Sequence, residues 1–214
     1  MIKRCFLHSG NDQKSGKLSS GMGGRFHPES VATLVRNGWQ VSPGICMMTN
    51  HVHFIAIPRT ETSFARGFGE AHKRYTRMKN LHDNVRGYLF QGRFGSCVLD
   101  ERHLLAAVRY VENNPVVAGI TTHPWEYKWS SASYHVGNIK EDVLVHDKDL
   151  YGWVKDWREY LDKGIAGSDD IDTVKRSTRT GRPAGDFDFV DKIEKLTGRL
   201  LQRQKPGPKK KQQD

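Results

Sequence analysis

Thr49-Asn50-His51-Val52-His53-Phe54-Ile55-Ala56-Ile57-Pro58 is the stretch on which the reading of this chain turns. Val52 to Ile57 is a short apolar run entered through a polar Thr49-Asn50 turn, and it predicts a strand. Strand side chains alternate between faces, so His51 and His53 share one face and Val52 takes the other. Two imidazoles side by side on a rigid strand can offer two nitrogens to one divalent metal. Taken alone, the pair reads equally well as two polar residues near a strand end. Just upstream, Gly44-Ile45-Cys46-Met47-Met48 predicts the partner strand of a hairpin turning at Thr49-Asn50.

A second stretch breaks the tie. Asp100 is a helix cap for Glu101 to Val108, whose apolar residues recur at helical spacing, and the run continues as Arg109-Tyr110-Val111-Glu112-Asn113-Asn114-Pro115-Val116-Val117-Ala118-Gly119. Tyr110 and Asn114, four residues apart, lie on one helix face. Pro115 disfavours helical geometry at Asn114, so the expected helix ends there with Asn114 in its last turn. Set against the histidines, the pair supplies an amide oxygen for a metal and a phenol as nucleophile. Glu112 lies two residues from Tyr110 on a different helix face and is left outside this site.

An apolar strand with His-x-His after Asn, then a helix with Tyr-x-x-x-Asn before Pro-Val-x-Ala-Gly, resembles the one-tyrosine HUH transposases. Within them it is similar to the REP-associated tyrosine transposases. Gly69 to Thr76, Gln91-Gly92-Arg93-Phe94, Trp129-Ser130-Ser131-Ala132 and Thr180-Gly181-Arg182-Pro183 fit the same subgroup, and the match runs from about Trp39 to the C-terminus. The order and spacing of the motifs carry the resemblance; His-x-His alone is weak. It implies an α+β domain with an HUH-type central antiparallel sheet flanked by helices, ferredoxin- or RRM-like, followed by a small helical, basic C-terminal region. It further implies single-stranded DNA as substrate, recognition of a REP-like hairpin near the cut, a covalent 5′-phosphotyrosine and a homodimer. His51, His53 and Asn114 would then hold Mg²⁺ or Mn²⁺, and Tyr110 would attack phosphorus. Where the family opens with a strand of the type His-Val-Thr-x-Arg-Gly-Asn, this chain has no convincing copy. Ile2 to Leu7 offers a short strand and Pro28 to Asn37 a helix, with a turn-rich, aperiodic Asn11 to Gly24 between them. A damaged N-terminus would remove a strand from the sheet.

Charge and composition agree with such a substrate. The chain has 214 residues with 34 Lys and Arg against 24 Asp and Glu, a formal charge of +10. That excess favours a polyanionic partner without separating nucleic acid from an acidic membrane surface. At 36% apolar and 10% aromatic residues, the composition is that of a polar globular protein. Cys5, Cys46 and Cys97 are dispersed without metal-ligand spacing, as expected of reduced thiols in a cytosol, which the resemblance makes a bacterial one. No apolar run at the N-terminus supports a signal peptide or membrane span. The expected division is residues 1–30 as a divergent N-terminus, 31–138 as the catalytic domain and 139–214 as a helical region with a basic tail.

The remaining segments supply DNA-contacting candidates. A helix from Ser63 to Leu81 carries Phe64, Phe68, Ala71, Tyr75 and Met78 as its apolar stripe and Lys73, Arg74, Arg77 and Lys79 as its charge. Tyr75, the rival nucleophile, belongs to that stripe. Tyr88 to Leu99 reads as a loop feeding a strand, in which Arg93 could grip a phosphate bidentately while neighbouring aromatics stack on bases. The alternative there is Phe90 and Phe94 in the core and Arg93 merely on the surface. Trp125, Tyr127 and Trp129 surround a Ser130-Ser131 turn into a short helix and are read as packing the domain edge. Asp149 to Lys163 predicts an amphipathic helix with Trp153, Trp157 and Leu161 on one side, and Gly164 to Asp170 a hinge. Two helical segments flank Thr180 to Pro183, the second with Phe187, Val190, Ile193 and Leu196 as its apolar face. The tail brings Arg203, Lys205, Lys209, Lys210 and Lys211, cations suited to phosphate contacts beside such a site. Two other readings stand beside the transposase: a hairpin-binding remnant that no longer cuts, and a metal hydrolase using water. The second lacks a well-placed carboxylate ligand and any His-Glu-x-x-His.

Overall fold

A computed structural model describes residues 5–10, 40–90, 92–142, 145, 150 and 152–202, with the backbone alone at 5–10 and 40–43. Strand β1 (Cys5–Gly10), β2 (Gln40–Met47), β3 (His51–Ile57) and β4 (Gly95–Val98) form one sheet in the order β2-β3-β1-β4. Every pairing is antiparallel. The expected central antiparallel sheet flanked by helices is therefore present. A ferredoxin-like pattern also needs a helix between β1 and β2, and the Pro28–Asn37 segment proposed for it lies outside the described residues. An opening strand is present over Cys5–Gly10, sharing Cys5 to Leu7 with the expected Ile2–Leu7, whose first three residues lie outside the described ones, and it pairs with both β3 and β4 in the sheet's interior.

The β2–β3 hairpin turns at Thr49-Asn50 as read, with Met48 N donating to His51 O at 2.9 Å. Both strands run longer than the apolar pattern, because His51 and the residues from Gln40 join the ladder on backbone bonding alone. The register shifts between Val41 and Gly44, on either side of Pro43, which has no N–H to give to a ladder.

Alternation along β3 sorts the core into two layers. Phe54 and Ala56, with Ile45 and Met47 of β2, face helix α1 (Ser63–Asp83) and meet Phe68. On the other face, Ile55 and Cys46 join Leu104, Val108 and Val111 of α2 (Glu101–Glu112) and Ile171 and Val174 of α6 (Asp169–Thr180). Between these lie α3 (Asn114–Val117), α4 (Ala132–His135) and α5 (Trp157–Asp162), and α7 (Phe187–Thr197) follows. Asp100 starts α2 by accepting from His103 N at 2.7 Å, and its other oxygen accepts from Asp186 N at 3.1 Å, fastening the segment before α7. Helix α6 begins on Ser168, carries Asp169, Asp170 and Asp172 in its first turn and stops at Gly181 with φ +70.

Three expected elements differ from what forms. The expected Asp149–Lys163 helix is interrupted over residues 152–156, and a helix starts afresh at Trp157–Asp162 because Asp156 caps Glu159 N at 2.9 Å; Asp149 and Tyr151 lie outside the described residues. Trp153 sits outside it, 41% exposed, while Trp157 and Leu161 are buried. In α7 only Ile193 of the proposed apolar face is buried, and Phe187 and Leu196 are exposed. The tyrosine-bearing helix ends at Glu112, and Asn114 opens the one-turn α3 with Pro115 in its first turn, where a missing N–H costs nothing.

Candidate active site

The hairpin places His51 and His53 at the start of β3, their rings 4.7 Å apart. Helix α2, docked on the same face, sets the Tyr110 ring 5.5 Å from that of His53 in an edge-on arrangement. His53 is buried, while His51 and Tyr110 are half-buried. These three residues and Asn114 line one cleft of about 740 Å³ together with Lys175, Thr178 and Arg179 of α6. The structure thus gathers the four residues that the sequence singles out as ligands and nucleophile.

Hydrogen bonding orients two of the metal-ligand candidates. Asn114 Nδ2 donates to Tyr110 O at 2.7 Å and to Val111 O at 3.3 Å, so the amide's nitrogen is spent on the end of α2 and its oxygen is the atom left to project. The shift of Asn114 into α3 leaves this i,i+4 relation to Tyr110 intact. His51 Nδ1 donates to Asn50 Oδ1 at 2.7 Å, a tautomer that puts the ring's lone pair on Nε2. Imidazole nitrogens and one amide oxygen around a shared cleft fit a divalent cation such as Mn²⁺ or Mg²⁺. Among the described residues no cluster of three or more His, Cys, Asp and Glu side chains offers another metal centre.

Sequence reasoning missed the fourth wall of the cleft. Lys175 Nζ lies 5.6 Å from the Tyr110 ring centroid and 3.6 Å from Asp172 Oδ1. Thr178 lines the cleft and also touches Cys97 Sγ of β4, at 3.8 Å. Only the docking of α6 on α2 brings these side chains near the tyrosine, and that docking rests on Ile171, Val174 and the 2.8 Å Arg102–Asp170 ion pair. The regular Ile171, Val174 spacing was the available signal, since it predicts which side of α6 faces inward.

Glu112 does not face the cleft. Its side chain is fully buried and accepts from His135 Nδ1 at 2.6 Å and from Ser131 Oγ, and Trp157 stacks on His135 at 4.3 Å. Ser131 Oγ also accepts from Ile45 N at 3.0 Å. The Ser130-Ser131 turn is thereby the tie between β2 and the end of the tyrosine helix.

The rival tyrosines sit elsewhere. Tyr75 is half-buried on α1, across the sheet from the histidines, and burial pushes its hydroxyl above the ordinary value, disfavouring the phenolate. Tyr88 is fully exposed in the loop ahead of β4. Of the proposed DNA contacts, Lys73 and Arg93 line a groove beside α1, and Arg74 pairs with Glu70 at 2.7 Å on the solvent side of that helix. Arg203, Lys205, Lys209, Lys210 and Lys211 lie outside the described residues.

Sheet, helices and cleft together make a mixed α/β protein with a transposase-like fold. Among solved structures it is similar to that of a REP-associated tyrosine transposase bound to a REP hairpin, with a TM-score of 0.52 at 14% sequence identity. The similarity covers 69% of this chain and 87% of that one. No family model and no curated protein matches the sequence. No helix among the described residues is long and apolar enough to cross a membrane.

Proposed function

We propose that this protein is a metal-dependent single-strand DNA transposase that cuts and rejoins DNA beside hairpins through a covalent bond to Tyr110. The observation that carries the reading is the shared cleft: the His53 and Tyr110 rings are 5.5 Å apart, with His51 and Asn114 alongside. The fold's likeness to a transposase solved on a REP hairpin supports DNA of that kind as the substrate.

In this reading the Tyr110 oxygen attacks phosphorus and the bond from phosphorus to the 3′-oxygen breaks. The phenol's proton is lost, the departing 3′-oxygen gains one, and the phosphate stays joined to tyrosine on its 5′ side. A phosphodiester is exchanged for a phosphodiester, so the step reverses onto a new 3′-hydroxyl and strand transfer needs no other energy source. His51, His53 and Asn114 would hold a divalent cation, which when bound polarises the scissile phosphate. Lys175 and Arg179 add positive charge on the cleft's opposite wall, where a phosphate's oxygens would be met.

The test is incubation of the full chain with labelled single-stranded hairpin DNA and Mn²⁺ or Mg²⁺, followed by denaturing electrophoresis and peptide mapping. The expected product is an adduct on Tyr110 that disappears in Tyr110→Phe while hairpin binding persists. Hairpin binding without any adduct would favour the non-cutting remnant. An adduct on Tyr75 or Tyr88 would overturn Tyr110 as the nucleophile, and adduct-free nicking that survives Tyr110→Phe would favour a water-using hydrolase.

A further inference from the structure

The first half of α1 is anchored by Phe68 against Phe54, with ring centroids 5.5 Å apart. Its second half, from about Tyr75, projects beyond the core: Met78 and Leu81 are exposed. The loop that follows folds back along it, held by Asn80 Nδ2 donating to Gly87 O at 2.9 Å. Between helix and loop lies a groove of about 920 Å³, the larger companion of the cleft at Tyr110.

The groove's lining has a definite chemistry. Lys73, Arg77 and Arg93 contribute cationic side chains, and among the described residues no aspartate or glutamate lines it. Among the described residues Arg77 and Arg93 have no carboxylate partner and Lys73 feels only the charge of Glu70 one turn away, whereas Arg74 and Lys79 on the same helix form ion pairs with Glu70 and Asp83. Its other wall is aromatic. Phe90 stacks on His72 at 3.9 Å and 14°, and the ring of Tyr88 stands wholly in solvent. Burial holds His72 below the ordinary histidine value, so its ring tends to serve as an uncharged stacking surface. Cations not held in ion pairs beside an exposed tyrosine ring and a half-buried phenylalanine suit a ligand that alternates phosphate with flat apolar rings. A duplex hides its rings inside the stack; a single strand presents them.

Position adds a second argument. Helix α1 covers the Phe54 face of the sheet, opposite the His53 face that carries the cleft. The two regions meet at the edge strand β4. Arg93 lies just before it, and Cys97 within it touches Thr178 of the cleft. Arg93 and Cys97 are four residues apart, at most about 13 Å of chain, so one strand can pass round this edge and engage both.

We propose that this groove binds the single-stranded segment flanking the hairpin, with Tyr88 stacking on a base and Lys73, Arg77 and Arg93 meeting phosphates. The proposal rests on the reading of the chain as a DNA-cutting enzyme and names where part of its substrate lies.

The experiment measures binding of the full chain to a blunt hairpin and to the same hairpin carrying a single-stranded extension. For Tyr88→Ala, a change at an exposed side chain, affinity for the extended hairpin is expected to fall roughly five- to a hundredfold, with the loss confined to that probe. For Lys73→Ala/Arg77→Ala, the log–log salt slope on the extended hairpin should drop by about 1.4, at about 0.7 per lost contact. Polyglutamate should compete poorly. The groove assignment is overturned if these variants bind the extended hairpin as wild type does, if they lose the blunt hairpin equally, or if polyglutamate displaces DNA as well as an unlabelled strand does. Should wild type form its Tyr110 adduct while the variants bind normally, only the groove assignment fails. Should wild type bind no DNA at all, the functional reading itself fails.

Discussion

Replacing Glu112 with Ala tests whether the tyrosine helix is held from beneath. Glu112 is fully buried, and its Oε1 receives both His135 Nδ1–H and Ser131 Oγ–H. Ser131 would keep its bonds to Ile45 N at 3.0 Å and Ile45 O at 3.3 Å, but His135, also buried, would lose its acceptor. An orphaned buried donor costs about 1–3 kcal/mol. With the cavity left by the deleted carboxyl added, the total is about 3–5 kcal/mol, the usual cost of removing one partner of a buried pair. For a chain of this size each kcal/mol lowers Tm by about 2–4 °C, so the expected drop is roughly 6–20 °C. Glu112→Gln, which keeps the volume and an accepting oxygen, should lose only about 1 kcal/mol. Urea unfolding followed by tryptophan fluorescence reports both, since Trp157 stacks on His135. A Glu112→Ala midpoint within about 1 kcal/mol of wild type would refute the reasoning, because an ordinary exposed hydrogen bond would account for it.

Three further outcomes are expected. His51→Ala/His53→Ala should abolish Mn²⁺ binding by calorimetry and metal-dependent nicking while sparing much of the hairpin affinity; full nicking in the double variant would remove the metal assignment. Lys175→Ala should slow adduct formation roughly ten- to a hundredfold, the worth of one hydrogen bond to a charged group, with partial rescue by Lys175→Arg; an unchanged rate would show that Lys175 does not meet the phosphate. Burial pushes the Cys97 thiol up to about 11 and drives Cys46 in the same direction, with Glu112 adding to the latter. Raised values leave thiolate scarce until the pH climbs well past neutral, so iodoacetamide at pH 8 should modify neither in the folded protein and both in urea; labelling of native Cys46 or Cys97 at the unfolded rate would contradict the burial.

What the sequence disclosed followed the range of the interactions involved. The hairpin and the tyrosine helix were legible because alternation, the Asp100 cap and four-residue spacing are local signals, and the same backbone geometry that writes them also places His51, His53, Tyr110 and Asn114. The helix end was misjudged by two residues because proline fits the first turn of a new helix as well as it ends an old one. Trp153 and Phe187 were assigned to buried faces from periodicity alone, but a short capped helix in one case and a mostly exposed one in the other left them in solvent. Lys175 and Thr178 were invisible as site residues. Their place in the cleft depends on how α6 docks, which is a property of Ile171 and Val174 meeting α2 rather than of the residues themselves. Glu112 was correctly turned from the cleft, yet its partner His135 lies 23 residues on, and no local pattern pairs them.

The same geometry bears on the choice between the proposed tyrosine chemistry and a hydrolase. A metal that activates water is held typically by three protein ligands of His, Glu, Asp or Cys, with an open position for the water. Here the cleft supplies two histidines, and its third candidate ligand is an amide oxygen, oriented by the backbone of the very turn that carries Tyr110. The one carboxyl near that turn, Glu112, is committed to His135 and Ser131 on the buried side. A neutral amide adds no charge to offset a dication, which leaves more of the cation's field to act on a bound phosphate. Among the described residues no carboxylate lines the cleft, and Asp172, at its edge, is paired with Lys175 at 3.6 Å. The phenol, edge-on to His53 at 5.5 Å between ring centroids, is the nucleophile in the proposed reading. Asn114 and Tyr110, one turn apart across the α2–α3 junction, are tied by Asn114 Nδ2 donating to Tyr110 O at 2.7 Å, so in the proposed reading ligand and attacking group keep their spacing however the DNA approaches.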